Sequence, residues 1–192
     1  MLKKQPVFCL LVYNHAMEIP WKNSETQYGW GGRALHWTSV TLLVVLILTG
    51  DGFADLEASE HRSSLVATHV SWGLLFLLVM LARVYWRISN HNPVQSYSIR
   101  KWQKYSARSL HLTIYFVVIS QSLVGILNLA SSGEGLAFFS FFETAAFMQK
   151  NVALYELSKG LHYSLSIAIY PLFLVHISAA IYHQLFGVLD DD

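Results

Sequence analysis

Charged residues and cysteine are both scarce in this sequence. Only 13% of the 192 residues are Asp, Glu, Lys or Arg, whereas about 25% is typical of soluble domains. Cys9 is the single cysteine, which excludes an intrachain disulfide, an iron–sulfur cluster ligated by cysteines of this chain and a covalently attached c-type haem. The formal net charge of +1 gives no electrostatic basis for binding nucleic acid. A soluble domain, a disulfide-linked scaffold and a nucleic-acid-binding protein are therefore all disfavoured.

Apolar residues are abundant and are concentrated in four long runs. They make up 54% of the chain, and the runs cover about residues 34–54, 64–88, 110–130 and 161–185. Each run reaches the length of about 20 residues that a helix needs to cross a bilayer, and none shows the alternation of a strand. We predict an all-α fold, a four-helix transmembrane bundle formed by residues 29–187, with a tail of residues 1–28 and an acidic tail of residues 188–192. No internal repeat is apparent between the runs.

The distribution of basic residues predicts the orientation of the bundle. Ten of the thirteen Lys and Arg residues lie in the first tail, the second connection and the helix ends that meet them, and three lie in the first and third connections. The positive-inside rule then places both termini in the cytoplasm. The first and third connections carry seven acidic residues and face outward. Within the third connection the aromatic segment FFSFF is short, so we predict that it lies at the membrane interface rather than across it.

Histidines recur within the apolar runs. The fourth run carries His162, His176 and His183 at spacings of 14 and 7 residues, which places all three on one face of a helix. His162 and His176 are then roughly 21 Å apart along the helix axis. Ionisable side chains within a membrane are costly, so their presence usually indicates a function.

The other runs supply histidines at matching depths. With both termini in the cytoplasm, His69 in the second run lies near the outer side with His162, and His36 in the first run lies towards the cytoplasm with His176. Imidazole is a good ligand of haem iron, and two axial imidazoles leave no open position, which favours electron transfer over oxygen chemistry. The sequence therefore predicts two haem b groups between facing helices of the bundle. Their four axial ligands, which are also the metal ligands, are His36, His69, His162 and His176.

Further polar residues lie close to the predicted haem on the cytoplasmic side. His111 opens the third run and is a candidate contact for a haem propionate or a quinone, or an alternative to His176 opposite His36. His183 is either a quinone or proton-transfer residue or an ordinary interfacial side chain. Three arginines either set the topology or pair with haem propionates, because propionates need fixed positive donors: Arg33, Arg83 and Arg87.

Glycine and proline positions give weaker support. Gly50, Gly73 and Gly125 lie within or at the ends of the runs, where a missing side chain allows a macrocycle or another helix to approach. Pro171 predicts a kink in the fourth helix between its two ligands.

The order of short motifs along the chain resembles a known family. The motifs are GRALHW, THVSWG, LARVYWR, SLHLTIYFVVISQSLVG and LHYSLSIAIYPLFLVHISAAIYHQLF. Over about residues 28–187 their order resembles that in the bacterial dihaem cytochrome b561 family, which is related to hydrogenase cytochrome b subunits. The resemblance implies an inner-membrane cytochrome that carries electrons between the quinone pool and an outer donor or acceptor. It also implies that the family's ligand histidines fall on His36, His69, His162 and His176, with His111 and His183 near the cytoplasmic haem and the quinone.

Several activities and partners remain open from the sequence. Some members of the family oxidise superoxide and reduce ubiquinone, but seven acidic against three basic residues in the outer connections of this chain disfavour an anionic substrate. Membrane lipid, quinone and an outer-side redox protein are the expected partners, and self-association is an open alternative. Two other functions compete: a non-redox anchor or assembly subunit, and a small transporter or proton channel that uses the histidine face. The absence of an acidic residue well within a run argues against the channel.

Overall fold

The structure, a computed structural model, describes residues 20–24, 27–54, 56–57, 59–90, 101–139 and 141–186. Four long helices dominate these residues: α1 is Trp30–Ala54, α2 is Glu60–Ser89, α3 is Lys101–Ser132 and α4 is Val152–Phe186. All four are long and apolar enough to cross a membrane. The predicted four-helix transmembrane fold is therefore confirmed. The side chain of His183, most of the predicted tail of residues 1–28 and all of the predicted acidic tail of residues 188–192 lie outside the described residues.

Each helix begins before the apolar run that predicted it. α3 begins at Lys101 rather than near residue 110, and α4 begins at Val152 rather than near residue 161. Polar residues at a membrane interface can continue a helix, because its backbone hydrogen bonds form within the segment whatever the side chains. Local capping fixes two of the starts: Ser59 Oγ accepts from the Arg62 amide at α2, and Asn151 Oδ1 accepts from the Leu154 amide at α4.

The third connection folds into a small hairpin, which the all-α prediction did not include. Strands β1 (Ala137–Phe138) and β2 (Phe142–Glu143) pair antiparallel, with Phe138 opposite Phe142. The hairpin lies on α2: the amide of Phe139 donates to Ser71 Oγ at 2.9 Å, and the Phe139 ring packs edge-on against Trp72 at 4.8 Å. Strands of two residues are too short to leave a pattern in the sequence. Phe139 of the FFSFF segment is thus held against α2 at Ser71 and Trp72.

Ser71 is the fully buried contact between this hairpin and α2. Replacing Ser71 by alanine leaves the Phe139 amide without its acceptor, and an unsatisfied buried amide costs about 1–3 kcal/mol. We expect Ser71→Ala to lower the midpoint of thermal unfolding in detergent. Ser164→Ala is the control, because the hydroxyl of Ser164 is exposed and bonds only to the Gly160 carbonyl of its own helix. Equal effects of the two substitutions would show that the hairpin contact adds no stability.

The helices pack as two hairpins, α1 with α2 and α3 with α4. Backbone contacts join the helices within each hairpin and join α2 to α3, whereas α1 and α4 have no described Cα atoms within 8 Å of each other. The buried core lies at the centre of the bundle and consists of Leu42, Phe76, Met80, Val117, Val118 and Ile169. The seam between α1 and α4 is therefore open, and the hydroxyl of Tyr170, which donates to Asp51 Oδ2 at 3.1 Å, reaches across it.

The end of the predicted first tail is folded against the bundle. The Trp30 amide donates to the Pro20 carbonyl, and the ring of Trp21 packs edge-on against Trp30 and against Trp86 at the end of α2. Gly31 permits this arrangement, because a Cβ atom there would lie 2.8 Å from the Trp86 ring. The segment that precedes α1 thus contributes to the packing of the bundle end.

Candidate functional site

The first candidate site is a pair of imidazoles near the ends at which α2 and α4 begin. The ring centres of His69 and His162 lie 6.3 Å apart, with an angle of 80° between the ring planes. Thr49 Oγ1 lies 3.0 Å from Nδ1 of His69 and donates its own hydrogen to the Val45 carbonyl at 2.8 Å. The hydroxyl oxygen therefore accepts from Nδ1, which makes Nε2 the unprotonated ring nitrogen of His69. A neutral imidazole with a hydrogen-bonded Nδ1 is the form that binds a metal through Nε2.

The surroundings of His162 differ from those of His69. Nδ1 of His162 is buried and has no hydrogen bond of standard geometry within the described residues, although the backbone of Gln121 is its polar neighbour. A buried polar atom without a partner is costly. The histidine is thus held in place by packing and by neighbouring backbone rather than by a side-chain partner.

The second candidate site lies near the opposite ends of the helices. The ring centres of His36 and His176 lie 6.3 Å apart across the open seam between α1 and α4, with an angle of 61° between the ring planes. His111 on α3 is a third imidazole at this level, with its ring centre 5.2 Å from that of His176. His162 and His176 are separated by 14 residues of α4, or about 21 Å along its axis. The bundle thus carries two imidazole pairs at two depths.

Arg83 is a charged residue in direct contact with the second pair. Its Nη2 donates to Nδ1 of His36 at 2.9 Å, and its Nη1 donates to Ser39 Oγ at 2.8 Å. The guanidinium also lies over the ring of Tyr115, 5.4 Å from the ring centre, and Arg87 lies 5.9 Å from the same centre. The sequence pointed to Arg83 and Arg87 but not to Tyr115 or Ser39, because neither residue type is unusual within an apolar helix.

The distance between ring centres is the same in the two pairs, and it is close to the distance between two imidazoles that bind one metal ion. Two imidazoles on opposite sides of one ion, each with its nitrogen about 2 Å from the metal, have ring centres roughly 6 Å apart. Both 6.3 Å pairs meet this requirement, whereas the 5.2 Å separation of His111 and His176 is shorter. Within the described ranges no group of three or more His, Cys, Asp or Glu is placed to hold a metal. Two imidazoles alone suit a metal whose remaining ligands come from a macrocycle.

Two glycines allow the rings of the first pair to approach a neighbouring helix. A Cβ atom at Gly50 would lie 3.3 Å from Cε1 of His69, and one at Gly125 would lie 3.1 Å from Cε1 of His162. The prediction of close approach therefore holds at these two positions. At Gly73 a Cβ atom would lie at an ordinary 3.9 Å from Leu46, so that glycine makes no special contact.

Valine at Gly50 should displace the His69 ring, because even a single Cβ atom there is already crowded against it. We expect Gly50→Val to lower the metal or cofactor content of the His69–His162 site by half or more. Gly52→Val is the matched control, since a Cβ atom at Gly52 meets nothing within 4 Å on the same helix. The measurement is the bound cofactor per chain after purification. An unchanged content in Gly50→Val would mean that the ring position is not critical.

Comparison with known proteins identifies the family of the chain. The profile of the prokaryotic cytochrome b561 family matches residues 27–190. The chain belongs to this family. It is 24% identical over 165 residues to cytochrome b561 homolog 2 of Escherichia coli (strain K12), a match that covers 84% of this chain and 87% of that protein. It is 26% identical over 157 residues to cytochrome b561 homolog 1 of the same organism, covering 78% of this chain and 85% of that protein.

Membership in the cytochrome b561 family makes this chain a multi-pass membrane protein of electron transfer that binds haem b. The predicted resemblance and the predicted class of cofactor are thereby confirmed. The residues at the two pairs fit this cofactor, because imidazole is a common axial ligand and each pair has the separation that one iron requires.

Proposed function

We propose that this cytochrome b561 carries two haem b groups and transfers electrons across the bacterial inner membrane between an outer-side partner and the quinone pool. The observation that supports this most is the equal 6.3 Å separation of two imidazole pairs at two depths of one bundle. A single haem would need only one such pair. We name His69–His162 the outer pair and His36–His176 the inner pair, following the positive-inside rule, which puts both termini in the cytoplasm.

The outer pair would hold its haem iron through Nε2 of each imidazole. The hydrogen bond from His69 Nδ1 to Thr49 fixes the ring orientation and the tautomer before the cofactor arrives. Gly50 and Gly125 keep space for the two rings. When bound, haem would supply a one-electron couple, and its retention by both His69 and His162 would suit electron transfer rather than reaction with oxygen.

At the inner pair, Arg83 has a role that depends on the cofactor. An arginine only donates hydrogen bonds, so its contact with His36 uses the lone pair of Nδ1. An imidazole bound to iron through Nε2 carries its hydrogen on Nδ1, so the Arg83 contact and ligation exclude each other. Arg83 would therefore leave His36 on haem binding and become available to a haem propionate, with Arg87 and Arg33 as further cations near the same end.

The acceptor on the cytoplasmic side would be a quinone close to the inner haem, with His111 and His183 as candidate contacts. The donor or acceptor on the other side would be a redox protein with a basic surface, because the outer connections carry seven acidic and three basic residues. Superoxide is the alternative donor, but this charge does not favour an anion. A homo-oligomer is compatible with the exposed apolar helix faces but is not required by them.

The test uses the purified cytochrome in detergent and in liposomes. Two haems per chain, a reduced spectrum with a b-type α-band, and oxidation of both reduced haems by a ubiquinone analogue are expected. One haem per chain would overturn the dihaem proposal, and reduced haems that a ubiquinone analogue does not oxidise would overturn the assignment of quinone as the acceptor. A non-redox anchor would tolerate loss of the ligand histidines, and a proton channel would conduct without haem, so both rivals predict function in a haem-free preparation.

A further inference from the structure

The two hairpins of the bundle are copies of one pattern. The segment Arg-x-Leu-His-x-Thr, followed by a glycine after eleven more residues, begins at Arg33 in α1 and again at Arg108 in α3. The two copies are offset by 75 residues, so that His36 corresponds to His111 and Gly50 to Gly125. The prediction that the runs contain no internal repeat was wrong. The repeat was hidden because its members are few and the third connection makes the second hairpin longer than the first.

The second helices of the hairpins repeat in the same way. His69 and Arg83 in α2 are 14 residues apart, as are His162 and His176 in α4, so an offset of 93 residues aligns both positions. One pair of buried core residues also corresponds under this alignment, Phe76 of α2 with Ile169 of α4. In the first helices the buried residues Leu42 and Val117 correspond likewise.

The contacts within the hairpins repeat as well. Gly50 faces the His69 ring as Gly125 faces the His162 ring. Arg83 contacts His36 at the other end of the first hairpin, and its counterpart His176 lies against His111, the counterpart of His36. The repeat is therefore one of side-chain environment and not only of sequence.

The repeat makes the two haem levels unequal. At the outer level the counterparts His69 and His162 form the pair, so both would serve as haem ligands. At the inner level His36 and His111 are counterparts, yet only His36 belongs to the pair of suitable separation with His176. We infer that His111 is a reserve axial ligand: when His36 is lost, His111 and His176 bind the inner haem iron together. This inference rests on the proposed dihaem function.

The geometry requires only a small adjustment. The ring centres of His111 and His176 would separate from 5.2 Å to roughly the 6 Å that two imidazoles on one metal need. Both histidines are partly exposed, and rotation about their side-chain bonds is the movement that would supply this shift. His176 is common to both arrangements, so the iron keeps one of its original ligands.

The experiment compares haem content and spin state in purified variants. His36→Ala and His36→Gln are expected to retain two six-coordinate, low-spin haems per chain, with the midpoint potential of one of them shifted. His36→Ala/His111→Ala is expected to retain one low-spin haem. His69→Ala is the comparison at the outer level, where the repeat provides no reserve, and it is expected to retain one low-spin haem.

Loss of the inner haem, or a high-spin five-coordinate iron, in both single His36 variants would overturn the inference. So would a double variant that behaves as the single variants do. Measurement of the wild-type protein distinguishes failure of this inference from failure of the proposed function, because fewer than two low-spin haems there would refute the dihaem function itself. Thermal unfolding and gel filtration in detergent establish that each variant is folded before its haems are counted.

Discussion

Replacing His162 by alanine is expected to halve the haem content of the purified protein. The substitution removes one of the two imidazoles that face each other at 6.3 Å at the outer level, and His69 alone then remains for the iron. Losing even an outer-shell partner of a metal ligand typically costs 10–100-fold in metal affinity, so about a hundredfold or more is expected for the ligand itself. The inner haem, whose ligands lie about 21 Å away along the helix, should be retained.

His61→Ala is the matched control for this substitution. His61 is an exposed histidine in the first turn of α2, on the same side of the membrane as the outer pair, and it takes part in neither pair. The readout is the pyridine haemochrome content per chain, together with the amplitude of the reduced α-band. If His162→Ala keeps two low-spin haems, the outer pair is not the ligand set, and the equal separation of the two imidazole pairs has no functional meaning.

The depths of the histidines could be predicted from the sequence because both governing rules are simple. Hydropathy locates the four helices, and a helix advances by a fixed rise, so the level of each imidazole follows from its position in its run. His69 and His162 were paired on this basis, as were His36 and His176, and the structure brings the rings of each pair to the same distance. Their role as ligands is still a prediction.

Side-chain partners could not be predicted in the same way. Thr49 and Ser39 are ordinary residues in an apolar helix, and their contacts with His69 and Arg83 depend on helix rotation, which hydropathy does not determine. The hairpin at 137–143 depends on the buried hydroxyl of Ser71, for the same reason. The helix starts were also missed, since polar residues at the interface continue the helices beyond the apolar runs.

The open seam between α1 and α4 is where the imidazoles of the proposed inner haem site face each other. The internal repeat relates this seam to the one between α2 and α3, yet among the described residues only the seam between α2 and α3 has backbone contacts. Arg83 and His111, the counterparts of His176 and His36, lie on α2 and α3. The first hairpin therefore carries a guanidinium at the position where the second carries an imidazole. That substitution leaves one inner imidazole pair rather than two, which agrees with a single haem at this level.

Replacing His176 by alanine is expected to remove the inner haem and to stop electron transfer to quinone. His176 belongs to the pair with His36 and also to the reserve pair with His111, so neither arrangement survives its loss. The outer haem should remain and should still be reduced by an electron donor supplied on the outer side of liposomes. Reduction of a ubiquinone analogue, measured by its absorbance, should fall on the order of 100-fold, because the electron no longer has an acceptor at the inner level.

Ser178→Ala is the control for this loss, as Ser178 is an exposed residue on α4 two positions from His176. It is expected to keep two haems and full quinone reduction. Two outcomes of His176→Ala would contradict the proposal, and they differ in meaning. Retention of both low-spin haems would indicate that His36 and His111, the counterparts in the repeat, bind the inner iron themselves. Loss of one haem with undiminished quinone reduction would place the quinone at the outer haem. The proposal that electrons cross the membrane to a quinone near the inner haem would then be wrong.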